Sequence, residues 1–454
     1  MKRTARWSVS VVLTFVWTAS VAPLAQSSSP STSSGLQQSV NDLNDLVAAQ
    51  QRQLEAQHLQ IDQLMAQMGQ MQQRSNPAQP PAPEVQSPVA SAVAPDPGPS
   101  LASLLGSTSV SGFVDAYYNY NANQPSLRIN SLRTFDGYSN QIALNLVELM
   151  VDKTPDASNS RTGYRIALGF GQAMNVVNAS DPGQLGFAQY LKEAYFSYLA
   201  PVGKGLQIDV GKFVTANGAE VIETKDNWNY SRGLLFSYAI PYYHFGLRVK
   251  YAFSDKYSLT GFLVNGWNNV VENNTGKTYG LSVGWNPTKR VTFAQNYMAG
   301  PEGIDNNSNW RQLWDTVATY SPNSKLSFMT NFDYGRGDRI VTAPGLTLPS
   351  LVSAPVFWTG AAGYVKYAFH PNYALSARYE YYDDHNGFTT GSAQNIHGFT
   401  TTFEHSIASH ILSRMEFRRD SSNQPSFVKG SQAVNGQNTA TAGVVFMFDS
   451  REAR

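Results

Sequence analysis

From Thr108 to Phe448 the chain repeats one unit, in which about ten residues of alternating polar and apolar side chains are followed by a connection. Residues 245–253 show it plainly. Phe245, Leu247, Val249, Tyr251 and Phe253 fall on one face, and Gly246, Arg248, Lys250 and Ala252 on the other, because successive strand side chains point to opposite sides. The connections alternate in length. Those at 254–256, 287–289, 321–323, 370–372 and 406–409 are short, and those at 268–276, 300–311, 336–356, 384–395 and 420–437 are long. Two-faced strands joined in this alternation predict an all-β fold, a transmembrane antiparallel β-barrel over residues 108–449 with a short tail at 450–454.

Strand starts fall at Thr108, Gln141, Thr162, Gln189, Gly205, Phe245, Tyr257, Lys277, Arg290, Gln312, Lys325, Phe357, Tyr373, Ile396, His410 and Asn438. That makes about 16 strands, enough to leave an aqueous lumen rather than a packed core. An apolar run at 232–240 offers a further hairpin, so 18 strands is the alternative. Trp267, Trp285, Trp314, Tyr320, Trp358, Phe369 and Tyr373 sit near strand ends, where interfacial aromatic girdles belong.

The N-terminal third differs. Lys2, Arg3 and Arg6 precede an apolar stretch at 7–22, too short for a membrane span, which reads as an export signal over 1–25. In residues 36–73, Val40, Val47, Leu54, Ile61 and Met68 recur every seven positions, with Leu36, Leu43, Gln50, Gln57, Leu64 and Met71 in the second seam. This predicts an α-helical coiled coil, placed in the periplasm, with a lone amphipathic helix on the barrel as the other reading. Residues 74–107 are rich in Pro, Ala and Ser and form a linker without a core of its own.

The longest connection, 215–244, is the third outward loop. A loop of this length with its own apolar run is expected to fold into the lumen and narrow it. That places Glu220, Glu223, Lys225, Asp226, Trp228, Tyr230 and Arg232 at a constriction, although an external cap or a subunit contact fits the same sequence. Trp228 and Tyr230, with Tyr242 and Tyr243, are candidates to stack on sugars. Taking the apolar face as lipid-facing turns Arg165, Arg248, Lys250, Arg378, Arg414 and Arg418 inward, with Asp209, Asp333, Glu380, Glu404 and Glu416. Basic and acidic groups nearly balance, which predicts at most a weak preference, for anions.

The residues at 202–236, V-G-K-G-L-Q-I-D-V-G-K-F-V-T-A-N-G-A-E-V-I-E-T-K-D-N-W-N-Y-S-R-G-L-L-F, closely resemble the OmpL-like second β-barrel porin family. So do I-P-Y-Y-H-F-G-L-R at 240–248, L-V-N-G-W-N-N at 263–269 and N-Y-M-A-G-P-E at 296–302. The resemblance covers the whole barrel and implies an outer-membrane porin surrounded by lipid and lipopolysaccharide and inserted by the barrel-assembly machinery. A coiled coil ahead of such a barrel is similar to certain trimeric sugar and dicarboxylate porins, which implies a homotrimer. One departure is the end. Phe446 and Phe448 supply the terminal aromatic that assembly reads, but residues 449–454 follow.

The function expected from this is passive diffusion of small hydrophilic solutes and ions. A substrate-selective channel for a sugar or organic anion, and a structural anchor tethered through the coiled coil, are the alternatives. The chain has no cysteine, so disulfides and thiolate metal sites are excluded. The net charge of +1 combines a basic leader, an acidic 26–107 segment and a near-neutral barrel, and gives no sign of nucleic-acid binding. Gly276-Lys277-Thr278 lacks the upstream glycine of a phosphate loop, since Val271 stands there. Neither the Asp383-Asp384-His385 run nor the Arg336-Gly337-Asp338 tripeptide has the spacing of a site. No catalytic residue, metal or cofactor is expected.

Overall fold

The computed structural model describes residues 107–181, 186–342 and 351–451. The expected signal segment, coiled coil and linker up to residue 106 lie outside the described residues, as does the tail beyond 451. What is described is a closed antiparallel barrel of sixteen strands.

The strands follow in chain order: β1 (Ser109–Asn121), β2 (Gln141–Lys153), β3 (Thr162–Phe170), β4 (Leu191–Ala200), β5 (Leu206–Val214), β6 (Tyr243–Ala252), β7 (Tyr257–Val264) and β8 (Thr278–Thr288). They continue as β9 (Val291–Gly303), β10 (Asn306–Tyr320), β11 (Leu326–Thr342), β12 (Leu351–His370), β13 (Tyr373–Asp384), β14 (Gln394–Ala408) and β15 (Ile411–Ser422). A small hairpin, β16 (Phe427–Lys429) and β17 (Gln432–Val434), stands outside the barrel, and β18 (Gly436–Asp449) completes the wall. Each barrel strand pairs with its sequence neighbours, and β18 closes the ring on β1, with Gly112 opposite Phe448 and Asn121 opposite Thr439.

The 232–240 run adds no hairpin, so the eighteen-strand alternative is corrected to sixteen. It lies in the β5–β6 connection and holds a turn of π-helix at Leu235–Ala239. Two expected loops are also shorter than the sequence suggested. β9 and β10 run to Gly303 and from Asn306, and β11 and β12 run to Thr342 and from Leu351. Their ends lack apolar alternation, and the pairing there is carried by the backbone ladder.

The outer face carries the apolar set: Val114, Ile166, Phe196, Val210, Leu281, Phe332, Phe399 and Phe446 are all exposed on the isolated chain, as a lipid-facing belt requires. Aromatic pairs mark the short-turn rim, with Tyr257 stacked on Trp285 and Tyr373 on Phe403. Trp267 and Trp358 do not belong to this girdle. Both are buried and meet edge to face at 6.1 Å.

Gly211 and Gly246 face each other across β5 and β6 with φ of 136° and 154°. A Cβ on Gly211 would fall inside van der Waals contact of the Ala194 carbonyl oxygen and the Tyr195 backbone. Gly211→Val is therefore expected to cost roughly 2–4 kcal/mol or more from backbone strain and overlap. A reduced fraction of heat-modifiable, folded barrel on unboiled gels would show it; wild-type yield would count against this account.

Candidate functional site

Three connections at the long-loop end contribute to the interior: L1 (122–140), L2 (171–190) and L3 (215–242). L2 carries a short helix, α1 (Gln172–Val177), whose Ala173, Met174 and Val177 are fully buried with Phe113 of β1 and Leu146 of β2. L1 adds Phe135, packed against Phe236 and Tyr242 of L3 with ring centroids 5.5 Å away in each case.

L3 starts between β5 and β6 and reaches β13 and β14, which lie diametrically across the ring. Its apolar run explains part of this path. Leu234, Leu235, Phe236, Ala239 and Ile240 are buried in one cluster with Trp358, Tyr382 and Ile396. In solvent these side chains would stay exposed, so burial against the wall favours the folded-in loop.

The wall meets the loop backbone with charged and polar side chains. On β10, Asp315 accepts the Gly218 N–H at 3.0 Å; on β11, Asn331 accepts the Ala219 N–H at 3.1 Å. Glu380 of β13 accepts the Leu234 N–H at 2.6 Å. Glu416 of β15 takes the N–H groups of Tyr230 and Ser231 at 2.7 and 3.0 Å. Arginines serve the carbonyls: Arg378 donates to Ser231 O at 2.7 Å, Arg414 to Thr224 O and to Asn227 O, and Arg418 to Arg232 O at 2.7 Å. Trp358 donates its indole N–H to Ala239 O at 3.1 Å. Buried backbone groups of an irregular loop need partners, and here the wall provides them.

The expected constriction residues divide into two kinds. Glu220 is buried against Arg378 at 2.5 Å. Glu223 binds Lys192 of β4, which also holds Glu148 of β2. Burial pushes the Glu220 carboxyl upward, against the pull of Arg378, whereas at Glu223 burial is overcome by the charge and hydrogen bond of Lys192 together with a backbone hydrogen bond and Lys225, which hold the carboxyl low. Tyr230 is buried, donating its hydroxyl to Asp115 at 2.9 Å, and Arg232 lies over the Phe135 ring at 4.6 Å. Lys225 and Asp226 pair with each other at 2.6 Å and stay partly exposed, and Trp228 meets Tyr364 edge to face. Three of the four proposed sugar-stacking rings are already occupied. Tyr230 packs on Tyr117, and Tyr242 on Phe135 and Phe236, while Tyr243 is fully buried beneath Lys212.

All eleven side chains assigned inward sit among inward neighbours, but in two settings. Arg378, Glu380, Arg414, Glu416 and Arg418 hold the loop, with Glu404 bridging Arg414 and Lys366 at 2.6 and 2.9 Å. Asp333 is buried opposite Asp315 on the same side. Arg165, Asp209, Arg248 and Lys250 instead belong to the opposite wall. There Arg165 pairs with Asp152 at 2.8 Å, and Arg248 with Asp209 at 2.8 Å. Arg165, Arg248 and Lys250 line a cavity of about 510 Å³ with Ser197, Gln207, Ser258, Thr260 and Ser282, bounded by Val214 and Ala216 at the base of L3.

Sequence reasoning missed Asp115, Arg133, Glu148, Lys192, Asp315 and Asp420. Arg133 of L1 bridges Asp136 and Asp420 at 2.5 and 2.9 Å, tying that loop to β15. The same two-residue alternation would have turned Asp115, Asp315 and Asp420 inward; Lys192 was hidden by the irregularity at the start of β4.

The family model described as "Putative beta-barrel porin-2, OmpL-like" matches residues 107–448. The chain belongs to this porin family. It is an outer-membrane β-barrel of the channel type. No curated protein matches the porin in sequence. Among solved structures, it is similar to an anion-selective porin from Comamonas acidovorans at 10% identity and TM-score 0.52, with 75% of this chain and 99% of that one covered. It is also similar to the outer membrane channel DcaP of Acinetobacter baumannii, at 12% identity and TM-score 0.49, covering 75% and 97%. The trimer form of OmpT of Vibrio cholerae gives 13% identity and TM-score 0.48, covering 75% and 99%. At these identities the Comamonas structure speaks to the fold alone.

Proposed function

We propose that this porin is a passive diffusion channel for small hydrophilic solutes and ions, with L3 as its constriction. The observation that supports this most is the asymmetric filling of the lumen. L3 is fixed mainly to the β10–β15 wall, with further contacts to Asp115 of β1 and Lys192 of β4, while the β3–β8 wall keeps a polar cavity at the short-turn end. A solute passing the barrel would follow the polar side and meet Lys250, Arg248 and the hydroxyl row rather than the anchored charges. Diffusion down a gradient then needs no energy input, only a water-filled route. The heptad seam at 36–73 supports assembly with further copies of the chain, a homotrimer by likeness to coiled-coil porins, with that segment on the periplasmic side.

Purified full-length protein in a planar bilayer should give stepwise current increments, with a mild anion preference in the reversal potential under a salt gradient. Folded protein that inserts and stays silent would sink this reading.

A further inference from the structure

Resting on the channel reading, we propose that the cavity beside β3–β8 is a binding subsite for small hydroxylated carboxylates, the class of sugar acids and hydroxy acids. The register builds it. Across four neighbouring strands, Gln207 of β5 stands opposite Lys250 of β6, Lys250 opposite Thr260 of β7, and Thr260 opposite Ser282 of β8. All four line the cavity. Lys250 is exposed there and, among the described residues, forms no ion pair, so its ammonium sits uncommitted in a row of three neutral hydrogen-bonding side chains.

The next row supplies a second cationic group. Arg248 is two residues from Lys250 on the same face and donates Nε to Asp209 at 2.8 Å, with Nη2 in ion-pair contact with the same oxygen. The remaining oxygen of Asp209 accepts from Ser197 at 2.7 Å and Gln207 at 2.9 Å. That carboxylate is thereby saturated, and it fixes the guanidinium while leaving Nη1 for a ligand. The Arg248 guanidinium also lies 5.1 Å from the Tyr195 ring centroid, which limits its swing. A planar two-oxygen group is the acceptor that matches a guanidinium edge beside a mobile ammonium. Arg165 adds little, because Asp152 and Glu193 neutralise it. With only Lys250 and one guanidinium edge uncommitted, the site fits a monocarboxylate better than a highly charged phosphate. The Gln207, Thr260 and Ser282 row then meets the hydroxyls of the same molecule, as donor or acceptor.

Gluconate is the probe, tested on full-length protein in planar bilayers and, in detergent, by titration calorimetry. It should block chloride current saturably, whereas neutral mannitol should not. Lys250→Gln should raise the half-blocking concentration about tenfold, the size of one lost charge-assisted hydrogen bond. Lys250→Arg should retain most of the block, and Lys256→Gln on the adjoining turn should match wild type. A block linear in concentration, or equal in Lys250→Gln, overturns the site. Silent but folded protein would defeat the channel reading instead. Calorimetry then decides the site alone: saturable gluconate heat lost in Lys250→Gln upholds it, and no heat in wild type rejects it.

Discussion

Deletion of residues 220–238 is expected to raise single-channel conductance roughly two- to fivefold, because a sixteen-strand barrel without its inserted loop is a wide aqueous lumen. The removed segment contains the anchor points for Arg378, Arg414, Glu416 and Arg418 and the Leu234, Leu235 and Phe236 part of the apolar run buried with Trp358 and Tyr382. The residues left, 215–219 and 239–242, keep the contacts of Gly218, Ala219 and Ala239 with β10, β11 and β12 but lose the hydrogen bonds that carry the loop on to β13 and β15. The barrel itself should survive, since every wall strand keeps both neighbours in the backbone ladder. The exposed wall charges would become hydrated, and the selectivity of the enlarged pore would follow their near balance. Conductance recordings on protein that retains heat-modifiable mobility are the check. An unchanged step size in that folded deletion would remove L3 from the permeation path.

The two-residue alternation made the wall legible. It gave sixteen strands, with the starts at Gln141, Thr162, Tyr257 and Tyr373 unchanged in the structure. It also gave the inward face of β13, where Arg378 and Glu380 lie, because a lipid-facing surface forces its opposite to be the polar one. What alternation could not give was a partner. Arg378 and Glu220 are 158 residues apart and meet only because L3 crosses the lumen. A charge facing inward reads the same in sequence whether it lines water or binds a loop carbonyl. The inward charges were therefore expected to balance one another around one lumen, with at most a weak preference for anions. In the structure those of β13 to β15 are spent on the loop, while Lys250 faces open space. The aromatic residues of L3 misled in the same way. Tyr230 and Tyr242 have the chemistry of sugar platforms, but their faces are filled by Tyr117, Phe135 and Phe236. Trp267 and Trp358 sit near strand ends like girdle residues, yet they turn inward as part of the packing under the loop.

Arg378→Ala is expected to loosen L3 more than any other single wall substitution. The guanidinium is fully buried, holding Glu220 at 2.5 Å, Ser231 O at 2.7 Å and Thr400 at 3.2 Å. Its Nε also approaches Glu380 Oε2 at 2.8 Å, but off the N–H direction, so that contact is an ion pair rather than a hydrogen bond. Removing the cation would leave Glu220 buried without its cation and Glu380 with only Arg418, at 3.9 Å, at a cost of about 3–5 kcal/mol. Because the wall ladder is intact without Arg378, the loop is the part that gives way. Trypsin should then cut folded protein after Lys225 or Arg232, and single-channel steps should become larger and noisier. Glu220→Gln in the same chain should recover part of the loss, since it removes one of the stranded charges; the double variant should be less perturbed than the two single effects added. Lys225→Gln is the contrast. Its pair with Asp226 is partly exposed, and such pairs contribute little. Equal loop cleavage in Arg378→Ala and Lys225→Gln would show that the buried network is not what holds L3 across the pore.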